Sequence, residues 1–473
     1  MAGLKRVAVV GGGVTGLSAA FYLEQARRTG TPLKYALFEA SDHLGGLLLS
    51  ENLCGCLIEA GADSFLSEKP WAADLCRDLG IDDQLIGSND VQRKTFVLQN
   101  DKLVALPRGM VLFVPTDLTA MDKSKLFSAA GKKRISREAL MCPQPAARED
   151  VAISDFVERH FGTEMLERVA DPLLTGIYGG DVRKLSMRAV MPSLLEVEQH
   201  SGSLIRGLRR RTKKTSRPAV FTSLRNGMHQ LVEIAASELE HGAIHMHDEV
   251  KRVEYTNGKW RLQSSSGVQE FDQMIFASPA HTTARLLRPI SRRLASLLGR
   301  IEYSSSITIT MGYEPSGRDT KKLRALEGFG FLCPHGQGRR MLACTFVHNK
   351  FPQRVSDGHA VLRVFYGGTR DEGVLQLGDQ EIARLASREL RAILRFRAQP
   401  QFVRVYRWPL AMPQYNVGHS DLIRQIEIEA AEFPGLLLTG SAFHGLGVSD
   451  CVRQGRETAR QVSTRLEHAV RAT

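Results

Sequence analysis

The stretch from Arg6 to Phe21, RVAVVGGGVTGLSAAF, constrains the chain more than any other. Val7, Ala8, Val9 and Val10 form an uninterrupted apolar run of the kind found in a strand covered on both faces. Gly11, Gly13 and Gly16 follow as G-x-G-x-x-G, with Gly12, Val14 and Thr15 between them, and the pattern runs on into a helix. Each glycine has its own task. Gly11 permits a tight turn, Gly13 lets the backbone approach a pyrophosphate, and Gly16 lets the helix pack close to the strand. The pyrophosphate then meets free N–H groups at the helix N-terminus. A second apolar strand, Tyr35 to Phe38, ends in Glu39 and Ala40, roughly 20 residues beyond the last glycine, where an acid accepts ribose hydroxyls.

Strand, glycines, helix, strand and terminal acid in register predict an α/β domain of the Rossmann type. At 473 residues the chain is too long for one core, so two or three domains are expected. The net charge of +12 fits an anionic partner: nucleic acid, a lipid surface or an acidic small molecule. The basic runs KKRISR (132–137) and RGLRRRTKKTSR (206–217) are not interleaved with stacking aromatics, which argues against nucleic acid. A solvated surface and peripheral contact with the inner face of a membrane both stay open for them. The longest uncharged apolar-rich run, Val7 to Leu23, belongs to the nucleotide fold rather than to a secretory signal, and a strand starting at residue 6 or 7 leaves no room for a cleavable leader. Seven scattered cysteines without C-x-x-C spacing point to a reducing cytoplasm. His245 and His247 share one strand face, but no further ligands lie at suitable spacing, so no metal site is expected.

After Glu39, Gly45 and Gly46 permit a second close approach of backbone to the dinucleotide and favour a flavin over a simple nicotinamide. QRKTFVLQNDKLVAL (92–106) reads as a hairpin turning at Asn100 and Asp101. In GFGFLCP, alternation puts Phe329 and Phe331 on one side and leaves Gly330 bare on the other. That suits a flat aromatic ligand, and equally the packing of a core strand. Near the C-terminus a strand (436–439), a glycine-rich turn and a helix opening at Ser449 repeat the N-terminal pattern. This second helix N-terminus would face the electron-rich side of a flavin.

The string GADSFLSEKPWAADLCRDLGI resembles the G-P-D-S-F…K-P…L-C-x-x-L-G pattern of bacterial oxygen-dependent protoporphyrinogen and coproporphyrinogen oxidases, with Ala62 in place of the proline. LPRGMVLFVPTDL, DFVERHFGTEMLERVADPLLTGIYGGD and GSAFHGLGVSDC resemble further signatures of that family, so the likeness runs nearly from end to end. It implies an α/β (α+β overall) architecture: a discontinuous FAD-binding domain (1–90, 222–290 and 405–473), a mixed-sheet substrate domain (91–112 and 291–404), and an inserted, basic helical region (113–221). It also implies a six-electron oxidation of a porphyrinogen by O2 in haem biosynthesis, yielding H2O2. FAD contacts are expected at Gly11, Gly12, Gly13, Val14, Thr15, Gly16, Glu39, Ala40, Gly45, Gly46, Leu47, Gly61, Ala62, Asp63, Ser64, Val250, Trp408, Leu446, Gly447 and Val448. Gly330 and Leu332 would line the substrate slot, and Arg93 and Lys94 are the candidate cations for its propionates. The flavin performs the redox step, so no catalytic acid–base pair is assigned. An amine oxidase or carotenoid desaturase, and a basic Rossmann-fold protein without catalysis, remain the alternatives.

Overall fold

The computed structural model describes residues 4–143, 149–212 and 219–471. Lys5–Val10, Leu33–Phe38, Ile244–His245, Gln273–Phe276 and Leu436–Leu438 build one five-stranded parallel sheet, in the order 244–245, 33–38, 5–10, 273–276, 436–438. Val7, Ala8 and Val9 are fully buried because both faces of the sheet are covered, the ordinary condition of a parallel sheet. The helix Val14–Arg28 covers one face, and the C-terminal helix Val448–Arg471 packs along it. At Gly455 the two helices lie so close that a Cβ would press on the Thr15 carbonyl. An antiparallel three-stranded sheet (Val250–Thr256, Lys259–Ser264, Gly267–Phe271) covers the other face around fully buried Trp260.

A seven-stranded mixed sheet forms the second layer, in the order 402–413, 303–313, 360–367, 343–346, 330–332, 95–99, 102–105; only 330–332 with 95–99 is parallel. Alternation along YSSSITITMGY explains its two faces. Ile307, Ile309, Met311 and Tyr313 enter a core shared with Ile382, Leu390 and Ile393 of the helix Asp379–Leu394. Ser306 and Thr308 face the opposite way, towards a cavity. The hairpin turns at Asn100 and Asp101, both with positive φ. The expected domain boundary at 405 is displaced, because Phe402–Pro413 runs its whole length beside Tyr303–Tyr313 and belongs to the mixed sheet.

The basic region folds into short helices around a separate apolar core that includes Phe113, Phe156, Val169 and Leu204. Part of its charge serves the fold. Arg134 donates to the carbonyls of Glu158, Arg159 and His160 at the end of the helix Ile153–Phe161, and Arg206 to those of Ala139, Met141 and Ser201. Residues 213–217 of the second basic run lie outside the described residues.

At the centre of this region His160, 0% exposed, sits between Glu138 (3.0 Å) and Glu198 (3.0 Å). Glu138 also accepts from the Leu204 and Ile205 N–H groups, capping the helix Leu204–Thr212. Burial alone would lower the His160 pKa, but the bonds to Glu138 and Glu198 outweigh it and raise the value above the ordinary 6.5. A raised folded-state pKa gives stability that is complete below about 6.5 and is lost as pH climbs through the folded value. His160→Gln should therefore cost about 3–5 kcal/mol near pH 6 and progressively less at alkaline pH, read as the difference in urea-unfolding free energy from wild type.

Candidate cofactor and substrate site

Two glycine segments meet at the C-terminal edge of the parallel sheet. Gly11 has φ +106°, and a Cβ on Gly16 would be driven into the Gly11 carbonyl, so strand and helix are as close as they can be. The Gly45 N–H donates to the Gly12 carbonyl (2.8 Å), Gly13 bridges to Gly45, and Gly46 holds φ +60° beside Gly13. Gly13 itself faces open space, with nothing within 4 Å of where a Cβ would stand. Glu39 caps this cradle: its carboxylate accepts from the Gly12 N–H (2.7 Å) and from the Ser41 N–H and Oγ (both 2.8 Å). Ala40 follows, exposed, while Val14, half-buried, and Thr15, buried, open the helix. Val250 is buried at the start of its strand, just past Asp248, whose N–H donates to the Glu39 carbonyl (2.9 Å).

From Gly46 the chain passes to Leu47, whose carbonyl touches Gly61 closely enough to exclude any side chain there. The turn Gly61, Ala62, Asp63, Ser64 and Leu47 form one end of a cavity of ≈930 Å³. The N-terminus of the last helix, Leu446 to Asp450, lies on it as well, and Trp408, Phe365, Thr345 and Leu332 of the mixed sheet make a wall. Ile177 (44% exposed) and Leu66 (38%) also line the cavity. Tyr415 stacks on His419 (ring centroids 4.0 Å apart); its hydroxyl accepts from the Gly445 N–H (2.8 Å) and donates to the Ser441 carbonyl (2.7 Å), fixing the C-terminal glycine turn. Burial pulls the His419 pKa down to about 4 and pushes the Tyr178 hydroxyl up to about 12, so both line the cavity as neutral groups. Lys69 pairs with Asp450 (2.6 Å), and Lys350 donates to both oxygens of Asp63 (2.9 and 2.8 Å). Burial acts to raise the Asp63 pKa, but Lys350 and Arg363 hold it well below the carboxylate range. Five cations (Lys69, Arg188, Lys350, Arg363, Arg424) stand in the lining against three carboxylates (Asp63, Glu427, Asp450).

Three expected substrate residues lie elsewhere. Arg93 is 3.7 Å from Asp90 and Lys94 pairs with Glu327, both at the surface and outside the cavity lining. Gly330 is bare because its strand approaches Cys344: a Cβ would strike the Cys344 carbonyl, and φ is +142°. Phe331 turns into the core against Phe346, leaving Leu332 as the one residue of that stretch on the cavity. Sequence reading missed Lys350, Arg363, Thr345 and Phe365. The Ser/Thr alternation in YSSSITITMGY was the available signal for a polar sheet face, while Lys350 and Arg363 have no local signature. Among the described residues no group of three or more His, Cys, Asp or Glu could hold a metal.

The family profile described as "Flavin containing amine oxidoreductase" matches residues 14–463. The chain belongs to the flavin-containing amine oxidoreductases. Within this family it is 31% identical to coproporphyrinogen III oxidase of Bacillus subtilis over 98% of this chain and 99% of that one. It is 29% identical to the chloroplastic protoporphyrinogen oxidase 1 of Arabidopsis thaliana over 96% and 87%. A solved structure from Exiguobacterium sp. 255-15 superposes with TM-score 0.87 at 28% identity, covering 98% of this chain and 99% of that one. A putrescine oxidase, at TM-score 0.69 and 15% identity, shares the fold alone. The cofactor of this flavoprotein is FAD, and the cradle fits it: open space at Gly13, a second glycine pair beside it, and an acid at the end of the second strand.

The two glycines separate by experiment. Gly16→Ala meets backbone and should lower the stability of the FAD-free protein, whereas Gly13→Ala meets nothing and should leave it unchanged while weakening FAD binding tenfold or more. Thermal unfolding of the FAD-free proteins and FAD titration check both; unweakened FAD binding by Gly13→Ala would move the pyrophosphate elsewhere.

Proposed function

We propose that the protein is an FAD-dependent oxidase that converts a porphyrinogen to a porphyrin in haem biosynthesis, with O2 as acceptor, and that it works in the cytoplasm. The observation that carries the reading is the ≈930 Å³ cavity, opening at the flavin-facing turn and lined by a surplus of cations, in a chain that matches porphyrinogen oxidases along its whole length. Cavities that take a sizeable ligand are mostly apolar with a few placed polar groups, and this one has Leu332, Phe365, Ile177 and Trp408 as walls. Bound FAD supplies the chemistry, removing two electrons at a time, so three turnovers with three O2 yield the porphyrin and three H2O2. The residues orient and enclose. The cradle from Gly11 to Gly16 holds the pyrophosphate and Glu39 the ribose, while Gly61 to Ser64 and Leu446 to Val448 border the ring.

Arg188 and Arg424 reach the cavity lining from contacting helices, Met187–Val190 and His419–Ala431, and on that ground they are preferred to Arg93 and Lys94 as partners of substrate carboxylates, although Arg424 also lies 3.3 Å from Asp421. Coproporphyrinogen III, with four propionates against two in protoporphyrinogen IX, suits that cationic balance better. Among the described residues no helix is long and apolar enough to cross a membrane. Arg134 and Arg206 are committed to backbone carbonyls, which leaves less of the basic region for a lipid surface.

Porphyrin fluorescence should grow in air with both substrates, faster with coproporphyrinogen III. Exposed ion pairs are worth about 0.2–1 kcal/mol each and are screened by salt, so the preference should be modest and should shrink between low and high ionic strength. No porphyrin above the autoxidation rate with either substrate overturns the reading, and a salt-independent preference for protoporphyrinogen IX overturns the electrostatic choice between them.

A further inference from the structure

Behind the flavin-facing turn lies a charge cluster that holding a cofactor does not by itself require. Asp63, Lys350 and Arg363 belong to it, with Glu59 and Arg354 behind them. None of the five side chains is more than 20% exposed. Arg354 pairs with Glu59 (3.0 Å) and donates to the Asp63 carbonyl (3.1 Å) and the Leu224 carbonyl (2.8 Å). Arg363 donates to the Gly61 carbonyl and, at 3.3 Å, to that of Ala60, with its guanidinium 3.7 Å from the Asp63 carboxylate. Lys350 spends both its bonds to carboxylate on Asp63.

Three cations thus share two carboxylates, and the surplus is steadied by ring faces: Lys350 lies 4.6 Å from the Phe221 centroid, Arg354 5.0 Å from Phe351, and Arg363 5.0 Å from Phe365. A buried excess charge is costly, and the cavity lining shows where it points, because Asp63, Lys350 and Arg363 all reach that surface. By contrast the other lysine there, Lys69, is balanced one for one by Asp450.

The geometry points to an electrostatic role: the surplus cation of the Lys350–Asp63–Arg363 cluster raises the reduction potential of the flavin bound against this turn. Two-electron reduction takes up two electrons and one proton and leaves the ring one negative charge richer, so a fixed positive charge favours the reduced form. Lys350 and Arg363 act through the field and through the turn they hold; neither is assigned contact with the substrate. This rests on the FAD reading and not on the choice of porphyrinogen.

The test is the potential of bound FAD, measured by dye equilibration without substrate in the purified holoenzyme, three single variants and one double variant. Lys350→Met should lower it and Asp63→Asn should raise it. A unit charge acting across about 10 Å at an effective dielectric of about 20 shifts the two-electron equilibrium roughly tenfold, or about 30 mV. Lys350→Arg, which keeps the charge, should stay at the wild-type value, and Lys350→Met combined with Asp63→Asn should return towards it. Formation of the flavin–sulfite adduct should weaken and strengthen in the same order. A purely structural cluster would disturb both single variants alike. Unmoved potentials, or shifts in the same direction, overturn the inference. Should Lys350→Met not retain FAD, Asp63→Asn decides alone, and a potential that is unmoved or lowered there is the contradicting result.

Discussion

The turn from Ala60 to Ser64 is the joint on which this architecture depends. It ends a hairpin, Ser50–Leu53 with Cys56–Glu59, that leads out of the nucleotide-binding half, yet its carbonyls are held by Arg363 and Trp408 of the mixed sheet and by Arg354. A buried carboxylate or guanidinium that loses its partner costs about 3–5 kcal/mol, so the halves cannot separate here without leaving several such groups stranded. The same bonds therefore join the two layers and fix one end of the cavity. A site built between domains usually tolerates relative motion, and here a buried ion network opposes it.

Much of the nucleotide half was legible because its chemistry is local. The tight turn at Gly11, the helix–strand contact at Gly16 and the acid ending the second strand are each set by residues within one βαβ unit, and the structure places them side by side. The polar face of the mixed sheet was legible in principle from the serines and threonines of one strand. The cations of the cavity were not. Lys350 reaches Asp63 across 287 residues of sequence, and Gly330 is bare because of Cys344, a residue on another strand. Arg93 and Lys94, expected from sequence as propionate partners, lie outside the cavity lining, and each sits beside a carboxylate, Asp90 or Glu327.

The basic region carries a similar lesson. Charge runs read as a face offered to a partner, yet Arg134 and Arg206 complete hydrogen bonds that helix ends and turns would otherwise leave open. Glu138, a lone acid beside a basic run, is the buried cap on which the helix Leu204–Thr212 begins, and His160 ties it to Glu198. Net charge is thus a poor guide to partners until each cation has been traced to what it touches.

The central claim is that the cavity beside the Ala60–Ser64 turn presents a porphyrinogen to bound FAD. Anaerobic addition of coproporphyrinogen III to the purified holoenzyme, followed at the flavin absorbance band, tests it most directly. The account predicts that the flavin bleaches as porphyrin absorbance appears, and that admitting air restores the yellow colour with release of H2O2. A flavin that stays oxidised with porphyrinogen but bleaches with a primary amine would contradict it.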